Sequence, residues 1–469
     1  FPYTTLFRST AITKNLVNSP SGGTQLLAQL GEMLKPLSDE QAARQLAEMA
    51  LKYREQSQWT MAEETYSQLI INYPNQPDAL EAMLWLVKYS TSAEMNWQRL
   101  RAVNASNSNS RVDPAAVQAN IQKALQIAGK NATQAGFYDE IRTLQRGVDN
   151  NATPLIPTLG NSVSVLNGTS PGANQYDLQL RRWHENATTI VNDISASYPR
   201  LFEDDEMQFV VAALLRRRQQ GRKADEIYGK YLQRLNDDDP WHVAAKGETF
   251  LLRPGALSPK PVISCKKTEL APILDGKLID PCWSNASELK LSERNSTDLF
   301  VDTDQGIKGS IQFIEREPIV MFSRDGEYLY LAASIPKHDK MKYDATQHAG
   351  RPRDSDLGKH DYIAIQFDVD RDYSTYYRFE IDQRGWTREA CWDAWSYNPE
   401  WFVATEQDAT SWSFEAAIPL KELLPSELNI SNVWAVGVTR VVPGVTVQSW
   451  TNSGGEKPVA PRFGLMRFN

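Results

Sequence analysis

The stretch Tyr362-Ile363-Ala364-Ile365-Gln366-Phe367-Asp368 sets Ile363, Ile365 and Phe367 in alternation with Tyr362, Ala364, Gln366 and Asp368. Successive side chains of an extended chain point to opposite faces, so this pattern predicts a strand with one apolar and one more polar side. Working outward, Tyr328–Ser334, Tyr376–Asp382, Ser411–Ile418 and Val433–Val441 alternate in the same way. Asp325-Gly326 and Arg384-Gly385 supply turn chemistry at two of the boundaries. Short strands at this spacing predict an antiparallel β-sandwich or barrel.

Toward the N-terminus the pattern changes near residue 255, before which Ala, Leu, Gln and Glu recur with helical periodicity. Helices first and strands second predict separate domains, α then β, rather than one interleaved sheet. From Leu46 the run Leu46, Met49, Ala50, Tyr53, Ala62, Tyr66, Leu69, Pro74 resembles the tetratricopeptide repeat. Small residues sit where two helices would approach, and Pro74 would stop the second one. A weaker copy runs through Val211, Ala212, Leu215, Gly221, Ala224, Tyr228 and Tyr231. The expected organisation is helical hairpins over residues 10–101 and a helical insertion over 102–199, with a long loop at 148–175. A second repeat segment follows over 200–255, and the sandwich covers 262–469. Within the insertion, Asp113-Pro114 opens and Gly129 closes a predicted helix. Residues 1–9 (FPYTTLFRS) resemble a translated sequencing adapter, and the chain does not begin with Met. They are read as foreign, which makes the sequence a metagenomic fragment, bacterial in character.

The net charge of −8 over 469 residues argues against nucleic acid, whose phosphates call for a concentrated basic surface. The longest basic run, Arg216-Arg217-Arg218, reads as a solvated helix face. No stretch approaches the roughly 20 apolar residues of a membrane-spanning helix. Cys265 and Cys282 flank the opening of the β region and could close a disulfide loop, leaving Cys391 over.

The β region also resembles the family 9 carbohydrate-binding modules and the DOMON group of sandwiches. The run from Pro272 (PILDGKLIDPCWSNA) matches the family's entry strand, and Asp361 through Asp368 the acidic strand that follows. Tyr377-x-Phe379 with Gly385, then Trp412-x-x-Glu415-x-x-Ile418-Pro419, and finally Pro461-Arg462-Phe463-Gly464 complete the order. That resemblance implies a non-catalytic, extracytoplasmic module (periplasmic or secreted) that binds carbohydrate by stacking sugar rings on indoles, with the helical repeats free to dock a protein partner. One departure stands out, since Lys359-His360 occupies the place where sugar-binding members carry an aromatic.

Of the 13 Trp, Trp283, Trp412 and Trp434 sit at positions that read as core. This leaves Trp386, Trp392, Trp395, Trp401 and Trp450 as candidate sugar platforms. Arg388, Asp393 and Asn398 are interleaved to satisfy hydroxyls. The alternating Asp368, Asp370 and Asp372 could hold calcium, although the Gly and distal Glu of an EF-hand loop are missing. No G-x-S-x-G, H-E-x-x-H or P-loop is present, so no catalytic residue is nominated. A haem-binding variant would have only His338, His348 and His360 with Met321 and Met341 as axial ligands. Two other readings remain open: an interaction protein whose sandwich has lost sugar binding, and the accessory part of a larger carbohydrate-active enzyme.

Overall fold

The computed structural model describes residues 34–107, 171–236, 238–252, 257–293, 317–344, 354–392, 394–425, 432–451 and 458–469. The adapter-like residues 1–9, the helix expected at 113–129, most of the 148–175 loop, His348 and Asp393 lie outside them. The chain divides into two compact units. Among the described residues, the first holds 34–107, 171–219 and Cys391–Tyr397, and the second holds 220–390 and 398–469.

In the first unit, α1 (Asp39–Glu55) opens on a capping box in which Ser38 and Gln41 each satisfy the other's backbone N–H at 3.3 Å. Its buried stripe of Leu46, Met49, Ala50 and Tyr53 packs on α2 (Trp59–Asn72) through Ala62, Tyr66 and Leu69. The chain enters α2 through Ser57 in the left-handed region, and the helix ends just before Pro74. Then come α3 (Pro77–Thr91), α4 (Ala93–Asn107), α5 (Pro171–Ser197), α6 (Pro199–Phe202) and α7 (Asp205–Arg217). Pro171 opens α5 within the segment expected to be loop, because its fixed φ suits a first helical turn. Helix α3 lies against α2, α5 and α7. The arginine run is no solvated face. Arg217 donates to the Thr91 carbonyl at the end of α3 and Arg218 to Thr188 Oγ1 on α5.

The second unit starts with α8 (Gly221–Leu232) and α9 (Pro240–Leu252), ahead of the break expected near 255. Helix α9 is tied to the β region by Glu248, which accepts from Arg371 Nε and Tyr373 Oη, both at 2.8 Å. Lys260 lies buried under Gly247, with Nζ donating to the Pro461 carbonyl at 2.8 Å. The strands are β1 (Val262–Lys267), then, after the short α10 (Pro281–Ser284), β2 (Glu288–Lys290), β3 (Ser292–Glu293), β4 (Ile319–Arg324) and β5 (Tyr328–Pro336). Next come β6 (Tyr362–Asp368), β7 (Tyr377–Asp382), β8 (Thr387–Cys391), β9 (Phe402–Gln407) and β10 (Ser411–Pro419). After α11 (Leu420–Leu423) follow β11 (Val433–Val442), β12 (Thr446–Ser449) and β13 (Gly464–Phe468).

One sheet runs β8-β7-β6-β11-β13-β1 and the other β1-β4-β5-β10-β9. Strand β1 belongs to both, pairing β13 through Val262–Cys265 and β4 through Lys266 and Lys267. Both pairings are parallel, so the sheet is mixed and curled rather than purely antiparallel as expected from the hairpins alone. The apolar faces meet where Phe322 of β4 lies edge-on to Phe367 of β6 at 6.1 Å. Trp434 joins them through Phe367 and Phe468, and Trp283, Trp412 and Trp434 are all buried, as their sequence positions imply.

Two carboxylates inside this core are well partnered. Asp361 accepts from Arg440 Nε at 3.0 Å and Nη2 at 2.6 Å, from Trp412 Nε1 at 3.1 Å and from Tyr343 Oη at 2.7 Å. Glu415 accepts from Trp283 Nε1 at 2.7 Å and from the N–H groups of Asp275 and Gly276, and so fastens the entry segment to β10. All three cysteines are free and buried, which corrects the expected bridge. Cys265 lies in β1, whereas Cys282 sits in α10 packed with Leu274, Trp283 and Met321.

Candidate ligand-binding face

The register decides which side of the first sheet could meet a ligand. Phe367 faces the second sheet and pairs with Val436 and Tyr377, so the intervening residues point outward. The outward set is Tyr362, Ala364 and Gln366 on β6, Arg378, Glu380 and Asp382 on β7, and Gly437, Thr439 and Val441 on β11. Polar side chains therefore dominate the middle of this face. Glu380 is fully buried and ion-paired with both Arg378 and Arg388, whose side chains stay 16% and 28% exposed. At one end Trp386 packs with Leu357, Tyr362, Val441 and Val447. At the other, Phe463 lies over Gly437, where an added Cβ would come within 2.4 Å of the ring.

Several buried polar atoms of the described residues have no hydrogen-bond partner, among them two oxygens on this face. Gln366 Oε1 and Thr439 Oγ1 are buried and have no hydrogen-bond partner among the described residues. Leaving a buried polar atom unpaired costs about 1–3 kcal/mol, so a guest carrying hydroxyls gains by reaching them. Sequence reasoning missed both. The signal available was parity: polar residues on the outward half of strands that are otherwise buried.

The nominated residues fall in both units. Trp386 is half-buried on the outward face, with the Arg384 guanidinium 3.6 Å over its ring. Arg384 is itself held by Asp382 at 2.9 Å. Arg388 stands on the same face beside Glu380. Trp401 is 1% exposed, edge-on to Phe379 at 5.0 Å, with Nε1 donating to Glu389. Trp450 is half-buried against Gly464, which pairs with Val436 and so points toward the second sheet. Asn398 is exposed, and Asp393 lies outside the described residues. Trp392 and Trp395 belong to the first unit, Trp392 stacked on Trp85 and Trp395 48% exposed.

Asp368 and Asp372 act as turn caps. Asp368 accepts from the N–H groups of Asp372 and Tyr373, and Asp372 from those of Ser374 and Thr375 and from Thr375 Oγ1. These bonds hold a tight turn in which Arg371 and Tyr373 are left-handed. Burial, reinforced by Asp370, pushes the Asp372 carboxyl up to about 7. The Asp368 and Asp372 carboxylates are thus already engaged in the turn. Beside Asp361, His360 is half-buried, and burial next to Arg384 lowers its pKa.

No family model matches the chain, and no curated protein matches it. Solved structures similar to part of it include a family 9 carbohydrate-binding module from Caldicellulosiruptor kristjanssonii in complex with cellotriose. It is 13% identical with a TM-score of 0.31, over 45% of this chain and 94% of that one. The same organism's module with glucose is 12% identical with a TM-score of 0.29, over 45% and 96%. A protein from Bacteroides uniformis ATCC 8492 is 13% identical with a TM-score of 0.32, over 44% and 99%.

Proposed function

We propose that the second unit is a non-catalytic carbohydrate-binding module of an extracytoplasmic protein, and that its ligand reaches the outward face of the first sheet. The observation that carries this reading is the pair of buried, unpartnered oxygens, Gln366 Oε1 and Thr439 Oγ1, on a face that also presents Arg378, Glu380 and Arg388. Sugar hydroxyls both donate and accept, and would satisfy such atoms while the arginines hold ring substituents. The order of the family motifs along residues 272–464 supports the same class of ligand. Trp386 would wall one end of the site rather than act as a bare platform, since Arg384 already covers its ring. The reading does not require calcium at Asp368, Asp370 and Asp372, two of which already cap the turn there.

A glycan array with the intact chain, followed by calorimetry on its hits, tests the proposal. Trp386→Ala should weaken binding several-fold, whereas Trp401→Ala should act through stability. A blank array would favour the second reading, an interaction protein with a sugar-blind sandwich. The seating of Trp392 among the helices of the first unit supports that alternative.

A further inference from the structure

The segment Cys391–Tyr397 does not behave as a loop that merely connects strands. It counts with the helical unit, and its start is a tight turn in which Cys391 N donates to the Ala394 carbonyl at 3.1 Å and Ala394 N to the Cys391 carbonyl at 2.8 Å. Trp392 sits within that turn with φ of 51°, a left-handed conformation that a bulky residue adopts only when its surroundings over-determine it. Those surroundings are definite. The indole stacks on Trp85 at 5.6 Å, with Arg54 at 5.9 Å and Lys88 at 5.4 Å from its centroid. Trp85 is in turn stacked against Trp59 and Tyr89 and tilted on Tyr66, so the floor of the pocket is a preformed aromatic shelf.

The two cations are also held in advance. Arg54 donates to Tyr66 Oη at 3.1 Å and Lys88 to Glu206 at 3.0 Å. Flanking contacts extend along the segment, Cys391 Sγ to Met95 Sδ at 3.7 Å and Ser396 Oγ to Ser57 Oγ. Two cations over one ring suit a site that selects an electron-rich ring on an acidic or neutral segment, because cations attract the face of an indole and repel a basic neighbour. The segment has the matching chemistry, Cys-Trp-Asp-Ala-Trp-Ser-Tyr, with one acid and no base.

We infer that the helical unit is a receptor for a tight turn bearing a tryptophan, and that residues Cys391–Tyr397 are its occupant. The pocket is formed by α1–α3 through Arg54, Tyr66, Trp85 and Lys88. A peptide of the same chemistry, a Trp next to an acidic residue, competes for it.

Emptying the pocket in the intact chain tests this. With Trp392→Ala, a fluorescent peptide carrying residues 389–399 binds saturably, at least about tenfold tighter than to the wild type, whose pocket is filled. N-acetyl-tryptophanamide raises the Tm of that variant and leaves the wild type unchanged, as apolar guests do in an engineered cavity. Adding Trp85→Ala abolishes both effects. Should Trp392→Ala fail to fold, Trp392→Gly accepts the left-handed φ without strain and empties the same pocket. Peptide binding to neither variant nor wild type, or equal binding to both, overturns the inference.

Discussion

Asp361 shows at the scale of one residue how far this fold relies on a few buried polar groups. Its carboxylate is inaccessible to solvent and shared by Arg440, Trp412 and Tyr343. Removing one partner of a buried ion pair leaves the other charged and unpaired, so Asp361→Asn should cost about 3–5 kcal/mol in urea unfolding of the second unit. A loss below about 1 kcal/mol would show that Arg440 finds other partners. Glu415 makes a different demand. Burial pushes its carboxyl from 4.5 up to about 7, although three N–H donors hold it down. A carboxyl whose pKa is higher folded than unfolded favours the folded state while protonated, so its contribution is lost as pH rises from about 4.5 to 7. Asp372 pushes in the same direction. The Tm of the second unit should therefore fall across that window, and Glu415→Gln should flatten the slope; an unchanged slope would assign it elsewhere. Individual tryptophans were unevenly legible. Trp412 and Trp434 sit in alternating strands, where parity gives burial directly. Trp401 follows Asn398-Pro399-Glu400 with no alternation to read, and only the partner Glu389, distant in the pattern, reveals it as core.

Among elements, α9 carries the main surprise. The composition break near 255 marks where helices give way to strands, but composition does not record which side a helix packs on. Glu248, Arg371, Tyr373 and the buried Lys260 fasten α9 to the β region. Gly247 has to be small there, because a Cβ would meet Lys260 Cδ at 2.9 Å. A fragment beginning at residue 220 should melt cooperatively by circular dichroism, while one beginning at 262 should melt several degrees lower or without cooperativity, having left Arg371 and Tyr373 without Glu248. Equal melting of the two fragments would reduce α9 to an appendage. Strands were the most legible elements: β6 spans the residues whose alternation predicts it, and β5, β7, β10 and β11 differ from expectation by a residue or two at an end. The double parallel pairing of β1 was not legible, because strand direction is set by distant partners and leaves no trace in local periodicity.

For the whole molecule, the helices-then-sheet order was readable from the switch in period between residues 252 and 262. The candidate site was readable only in part. A count of indoles singled out the segment 386–401, and of its described residues in the second unit Trp386 and Arg388 lie on the outward face of the first sheet. Gln366 and Thr439 looked like ordinary strand residues, and their significance lies in what surrounds them, which a sequence does not display. The central claim, that this face receives a carbohydrate, is tested most directly by Thr439→Val. Valine keeps the shape of threonine and removes the unpartnered hydroxyl, so it relieves an uncompensated burial while deleting the contact proposed for the ligand. Calorimetry with a glycan taken from the array should show affinity falling several-fold, with the Tm equal to or above that of the wild type. Unchanged affinity in a stabilised Thr439→Val variant would contradict the account and leave this face of the sheet a structural one.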